Sequence, residues 1–554
     1  MKKTRVISSA MLALVFGAAC NDNFLDRLPQ DRLSDATYFK NENDLRIYAN
    51  RFYTLVPAQT FNSDNNSDNF VPRDRNTFLA GQYTIPNTGG GWTWTNEREA
   101  NYFLARYERA DAPAEVKAKY AGEVKMFRAY LWWRKVVQFG DVTWFGGDLN
   151  ENSPELFAPR TPRGTVMDTV LKDLNYAVAN LPVPASAEQD RVNKDIANAL
   201  KARICLWEGS YRKSRGLAGA TEWLREAANA AEAVINTGNY AIWSNGNPAK
   251  DYVNLFLQEE LRGNREAVWP RRYVKDQSMH NTTRQISDIW PSYSKDFVEG
   301  ILCDDGLPIG LSARYQGDET PELERTNRDP RYQQLIVTRD YVVSQNADGT
   351  ADRVTLPRIP AITTGYASAK YKSPDPVQWV ANQSTLDLFI IRYAETLLIF
   401  AEAKAELGEA SQAVIDQTIN KIRDRVGMPH MKIATLQKDP NSIFPTLPVL
   451  LDEIRRERRV ELAQEGFRFD DIIRWKAGTL INNPKTIVGM KLTDALRAQY
   501  PASQVAGIQV DADEHIRVYT DITNRTWHDK LYLYPLPLQE MNLNPQLKPQ
   551  NTGW

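Results

Sequence analysis

Glu453, Glu457, Glu461 and Glu465 recur every four residues, a spacing that lines carboxylates along one face of a helix and could ligate a metal. Arg455, Arg456, Arg458 and Arg459 interleave with them and compete for every carboxylate. The pattern therefore reads as a charged, solvated helical face laced with ion pairs, each worth a few tenths of a kcal/mol. Asp470-Asp471 is bracketed in the same way by Arg468 and Arg474. Glycoside hydrolysis needs two carboxyl groups about 5–9.5 Å apart across the bond. The adjacent Asp304-Asp305 seldom suit that geometry, and D-D-G also makes an ordinary turn. His280, His430, His515 and His528 are scattered, with no H-E-x-x-H or paired-cysteine spacing, so neither a catalytic zinc nor another metal is expected. Gly89-Gly90-Gly91 lacks the Lys-Ser/Thr of a phosphate loop, and no dinucleotide fingerprint or G-x-S-x-G is present, so no cofactor is expected. Asp64–Asn69 opens like a calcium loop but has Asn69 in place of glycine and Arg75 in place of the bidentate glutamate, so that reading fails. A polar loop of this kind is suited instead to sugar hydroxyls. The catalytic set is empty, and the chain reads as a non-enzyme.

A sugar site requires a flat aromatic for the apolar C–H face and amides, carboxylates or arginine for the hydroxyl rim. Gly91-Trp92-Thr93-Trp94-Thr95 offers both, close in sequence to the Asp64–Asn69 loop. So does Asp288-Ile289-Trp290-Pro291-Ser292-Tyr293, with Tyr273 upstream. Each of these tryptophans also suits packing a loop onto a scaffold. Asp68 and Arg392 complete the candidate set, and Arg392 equally fits a structural role.

The elements that must position these groups are mostly helical. Apolar periodicity predicts helix pairs 43–57 with 96–109, 114–139 with 164–181, 195–208 with 221–237, and 387–407 with 411–426. Pro57, Pro182, Gly238, Gly408 and Gly427 punctuate them. The pairs resemble tetratricopeptide repeats without the strict consensus. Gly, Pro, Asp and Asn scattered among aromatics mark about 239–385 as a large irregular insertion, where binding usually resides. The chain is therefore divided into a leader (1–19), a tether (20–40) and one domain (41–554). Within that domain, 41–238 and 386–476 form the scaffold, and an irregular region fills 477–554.

Apolar and charged fractions of 42% and 25% belong to a folded protein. The net charge of −1 and the lack of a Lys/Arg block argue against nucleic acid. Lys2, Lys3 and Arg5 precede an uncharged run, Val6 to Ala19, that is too short to span a bilayer. Cys20 after Gly17-Ala18-Ala19 is similar to a bacterial lipobox, with Gly17 where leucine is usual. Acylated Cys20 would become the mature N-terminus, and the alternative is plain secretion with Cys20 left in the cleaved peptide. With Cys20 lipidated only Cys205 and Cys303 remain, so one disulfide at most is open.

The blocks N-F-L-D (23–26), S-D-A-T-Y-F (34–39), F-G-D-V-T-W-F (139–145), P-R-T-P-R-G-T-V (159–166) and D-L-N-Y-A-V-A-N-L-P (173–182) open a longer series. It continues with C-D-D-G-L-P-I (303–309), I-R-Y-A-E-T-L-L-I-F-A-E-A (391–403), E-R-R-V-E-L-A-Q-E-G-F-R-F-D-D-I-I-R-W (457–475) and L-Y-P-L-P-L-Q-E-M-N-L-N-P (533–545). In this order they resemble the SusD/RagB family of surface lipoproteins. The resemblance implies a mostly α fold: about four tetratricopeptide-like helix pairs carrying a loop-rich ligand-binding region. It implies a lipid-anchored, surface-exposed outer-membrane protein whose partner is a TonB-dependent transporter of the SusC type, and capture of oligosaccharide or polysaccharide for that transporter. It favours Trp92 and Trp290 as stacking residues. Peptide uptake of the RagB kind and a surface glycosidase stay open as alternatives.

Overall fold

A computed structural model describes residues 38–58, 63–289, 291–346, 348–359 and 363–554. The leader, Cys20 and Trp290 lie outside the described residues. Helices α1 (Glu42–Asn50) and α2 (Thr95–Leu104) both lean on the long α3 (Ala114–Phe139). Asn41 caps α1 by accepting from the Asp44 amide, which satisfies a donor that the helix start would otherwise leave open. Pro113 opens α3, and Gly140, at φ 74°, closes it in a conformation that L-residues avoid. Next, α3 packs on α4 (Arg163–Asn180), and α5 (Lys194–Ser214) on α6 (Ala220–Asn236). Helices α3, α4 and α6 keep their expected bounds to within a residue, α5 runs past the expected 208 to Ser214, and α1 and α2 stop at Asn50 and Leu104, short of 57 and 109, each packing on α3.

The fourth pair differs in two ways. Residues 388–392 form strand β4 (Leu388–Arg392), antiparallel to β1 (Ala267–Arg271), and only from Tyr393 does the chain turn helical, as α7 (Tyr393–Glu406). All five residues of β4 are buried. A continuous apolar run carries no periodicity to tell strand from helix, and Phe-Ile-Ile prefers the strand. The partner helix is broken at Thr418 into α8 (Gln412–Gln417) and α9 (Ile419–Val426). The Thr418 hydroxyl donates to the Val414 carbonyl at 2.5 Å, a back-bond that competes with the helix ladder.

Residues 239–385 hold short helices (such as Thr282–Ile289 and Lys295–Gly300) and one ribbon, β2 (Val342–Gln345) with β3 (Ala351–Arg353). A second ribbon joins β5 (Val488–Lys491) to β6 (His515–Arg517). Among the described residues the two main hydrophobic cores lie among the scaffold helices and around Tyr252, Phe297, Leu335 and Met490, with smaller clusters around Val343 and Ile487. Cys205 and Cys303 are buried free thiols.

The charge ladder lies at the junction of these cores, on α10 (Val449–Glu461) and the turn leading to α11 (Arg468–Arg474). It is not a solvated face. Glu453, Glu457, Glu461 and Glu465 are all buried, as are Arg455, Arg458 and Arg459. Glu461 accepts from Arg392 (2.6 Å), Arg425 (2.6 Å) and Arg331 (3.1 Å). Arg392 also binds Glu465 (2.7 Å) and Glu266 (2.9 Å), Arg331 binds Asp329 and Glu457, Arg423 binds Glu457, and Lys370 binds Glu465. Five basic groups thus face five carboxylates. Burial alone would raise the Glu461 carboxyl, but the guanidiniums of Arg425, Arg392 and Arg331 outweigh it and hold the group far below its ordinary range. Burial likewise pushes Lys370 down to about 8 against the pull of Glu465. The pattern misled because i, i+4 spacing reports which charges are neighbours on a helix, and is silent about what packs over them.

Removing one partner from such a lattice leaves the others buried and uncompensated, at about 3–5 kcal/mol. Arg392→Met is expected to lose stability of that order in urea unfolding. Arg392→Lys should rescue little of it, because one ammonium cannot reproduce five hydrogen bonds spread over a planar fork.

Candidate functional site

A groove of about 600 Å³ opens where three segments distant in sequence meet: 92–101, 143–157 and 540–547. The first is fixed by glycine. Gly91 has φ 91°, and a Cβ there would meet the Gln138 side-chain amide at 2.7 Å. This close approach lets Gln138 donate to the Gly90 carbonyl (3.0 Å) and Lys135 to the Gly91 carbonyl (2.6 Å). The glycine run is therefore a clamp onto α3. It delivers Trp92 as a buried floor, edge-on to Phe139 (4.9 Å) and Trp94 (5.2 Å). Trp94 is half-buried and forms a wall, edge-on to Phe145 at 5.2 Å.

Asn101 holds the second segment by donating to the Phe145 carbonyl at 2.6 Å, while its own oxygen accepts from Arg128. The third segment carries α12 (Leu538–Leu543) and joins the second through Asn544, which donates to the Ala158 carbonyl at 3.0 Å. The Leu538 and Gln539 amides donate to Pro86 and Asn87, so α12 also braces the glycine loop. The mouth is apolar: Phe157 is 54% exposed, Leu543 62% and Leu156 40%. Arg98, Asn150, Glu151 and Glu540 supply polar groups around it. Stacking surface beside donors and acceptors is what a polyhydroxylated ring requires, and the volume falls within the range of about 300–1,000 Å³ usual for small-molecule sites.

Among the expected site residues, Trp92 lines this groove as its floor. Trp94, which shares its loop, contributes the larger accessible face. Four others do not join the groove. Tyr293 is fully buried, stacked on Phe297 at 4.5 Å and edge-on to Phe70. Asp68 is fully buried and chelated by Arg468 (2.7 Å) and Arg459 (3.3 Å). Arg392 is spent on the scaffold lattice. These three are corrected from ligand contacts to internal structure, since none reaches the surface. Tyr273 is half-buried on a different face, edge-on to His280 at 4.4 Å, with its amide donating to Asp387. Trp290 lies outside the described residues.

The Asp64–Asn69 loop is likewise turned inward. Asp64 accepts from the Gln464 and Gly466 amides and from Asn69, so it anchors the ladder, and only Asn65 and Asn66 of this loop stay partly exposed. Asp304 pairs with Arg314, and Asp305 accepts from the Leu307 amide and Ser312, the bonding of a turn. Asp511, Asp513 and His515 bring ligand atoms within 4.8 Å of one another. Asp511 already accepts from the amides of Asp513 and His515, and the imidazole contacts Asp318 at 3.2 Å. The cluster is therefore knit by its own hydrogen bonds.

Sequence reasoning missed Phe145, Leu156, Phe157, Glu540 and Leu543. A signal existed: Leu156-Phe157 and Leu543 stand in Pro- and Asn-rich, weakly periodic sequence, non-helical by pattern like the glycine-rich loop before Trp92.

A sequence model of the SusD family matches residues 205–554. The chain belongs to the SusD family. SusD-like protein P38 of Formosa agariphila is 22% identical over 519 residues, 87% of this chain and 94% of that protein. A SusD-like protein of Bacteroides ovatus is 22% identical over 504 residues, covering 85% and 82%. Among solved structures, a SusD-like carbohydrate-binding protein of Bacteroides fragilis has a TM-score of 0.71 at 21% identity, over 92% of this chain and 100% of that one. At such identity the likeness speaks to the shared SusD fold. No helix among the described residues is long and apolar enough to cross a membrane.

Glu97 also lines the groove and is buried 3.8 Å from Lys135. Burial raises the Glu97 carboxyl and lowers the Lys135 ammonium, each opposed by the other's charge. A carboxyl with a raised folded-state pKa holds extra protons in the native protein, so stability falls as pH climbs through the window above its ordinary 4.5. As pH rises above 4.5 the unfolding free energy of Glu97→Gln should therefore gain on that of the parent. Parallel curves in urea titrations across this range would contradict the assignment.

Proposed function

We propose that this SusD-family protein captures oligosaccharide at the cell surface in the 92–157/540–547 groove and passes it to a SusC-like, TonB-dependent transporter in the outer membrane. The observation that carries the reading is the groove itself, an aromatic wall facing a rim of arginine, amide and carboxylate. Trp94 and Phe157 would stack on the C–H faces of sugar rings, with Trp92 stiffening the wall from behind. Arg98 and Asn150 would donate to hydroxyl oxygens, while Glu151 and Glu540 would accept from hydroxyl hydrogens. The description of the Bacteroides fragilis relative as carbohydrate-binding supports a glycan over a peptide. Attachment would come from acylated Cys20. Two or more acyl chains give firm binding at about 0.8 kcal/mol per buried methylene, so the protein would stay beside its transporter while ligand is exchanged. Capture and hand-over need binding and release only, with no bond broken. Trp290 and Tyr273, on the insertion, stay with the proposal as a second contact region.

Affinity electrophoresis against a panel of soluble polysaccharides, with oligopeptides assayed in parallel by calorimetry, tests the reading. Retention by at least one glycan is expected, weakened about tenfold or more in Trp94→Ala. Phe157→Ala, at an exposed position, should weaken it without altering the melting temperature. Binding of peptides with no glycan retained would overturn the proposal, as would unchanged retention in both variants.

A further inference from the structure

Glu97 lines the 92–157/540–547 groove, yet only 3% of it is exposed. The donors nearest its carboxylate are its own backbone amide and the Lys135 ammonium. That ammonium stands 3.8 Å away and gives its short bond, 2.6 Å, to the Gly91 carbonyl. No other residue among those described donates to either Glu97 oxygen, and neither oxygen is sealed off from the groove. The other buried polar groups of the lining are engaged. Asn101 donates to the Phe145 carbonyl and accepts from Arg128. Asn544 and Thr143 both donate to the Ala158 carbonyl, and Asn544 also accepts from the Gln546 amide. The inner groove therefore offers an open carboxylate, and a carboxylate makes its strongest hydrogen bonds with O–H or N–H donors.

The charges around it narrow the choice of donor. Three carboxylates line the groove, Glu97, Glu151 and Glu540, against one guanidinium, that of Arg98. Among the described residues, Arg98, Glu151 and Glu540 form no ion pair. With Lys135 counted beside Glu97, one negative charge is left over. A cleft with apolar walls focuses such a charge. A uronate or sulfate group would bring like charge into it, whereas a ring bearing only hydroxyls meets the carboxylates with donors.

We propose that Glu97 is a specificity-determining residue of this groove, accepting hydroxyl hydrogens from a neutral sugar ring, and that the groove rejects glycans bearing carboxylate or sulfate. This rests on the capture of glycan proposed above and names the class captured.

Affinity electrophoresis of the parent in neutral polysaccharides (pullulan, laminarin, galactomannan) and acidic ones (polygalacturonate, alginate, carrageenan) tests the class. Retention is expected with neutral polymers alone. Glu97→Gln keeps the shape of the side chain and removes its charge and one acceptor. It should keep the parent's near-ultraviolet circular dichroism and lose about tenfold or more in affinity for the neutral polymer. Glu151→Gln combined with Glu540→Gln, at the rim, should narrow the difference between neutral and acidic polymers. Retention of the parent by acidic polymers alone overturns the inference and leaves glycan capture standing. Equal affinity in the parent and Glu97→Gln, or an unchanged difference in the rim variant, overturns it as well. Retention by neither kind of polymer overturns glycan capture itself, and this inference with it.

Discussion

Glu461 is the group on which the rest of this SusD-family structure depends. Its two oxygens receive guanidiniums from β4, α9 and the insertion, through Arg392, Arg425 and Arg331. Those arginines in turn recruit Glu266, Glu457, Glu465 and Asp329. Exchange of such a lattice for apolar side chains is often neutral or stabilising, so its presence says little about net stability. Its geometric consequence is firmer. Scaffold helices, strand and insertion each contribute a charge to this lattice, so a shift of any one of them would leave buried charges unpaired. The 239–385 region thereby becomes a body locked to the helices, although it has little regular structure of its own.

The same segment reaches outward from the lattice. Asp64 and Asp68, from the loop after α1, fasten to the Gln464 and Gly466 amides and to Arg468. Glu402 of α7 accepts from Arg474 and from the Trp475 indole. With α3 held on one side by this construction, its other side is free to carry the glycine clamp, Trp92 and Trp94. Rigid scaffold and exposed aromatic groove are thus two faces of one helix. A binding wall built this way loses little conformational entropy when a ligand arrives.

The helices with a clear apolar stripe and a proline or glycine stop were legible in the sequence, and α3, α4 and α6 lie within a residue of where periodicity puts them. The strand 388–392 was hidden because a fully buried run looks alike in both conformations. The meaning of the glutamate ladder was hidden for a related reason: alternating charge describes a solvated face unless something unseen packs against it, and here Arg331, Arg392 and Arg425 arrive from 36 or more residues away. Asp68 and Tyr293 looked like ligand contacts because polar and aromatic residues in irregular segments usually face outward. The buried lattice draws them in. The groove was half legible. Trp92 announced itself beside three glycines, but its companions Phe157 and Leu543 come from segments whose convergence is a property of the tertiary fold.

On the proposed reading, glycan binds the groove on α3 and leaves the buried charge lattice of the scaffold untouched. Hydrogen–deuterium exchange, measured on the chain with and without a bound glycan, addresses it directly. Added protection is predicted in 92–101, 143–157 and 538–547, with 393–406 and 449–474 unchanged. Protection confined to 270–310, or spread through the helices that carry Glu402 and Glu461, would contradict it.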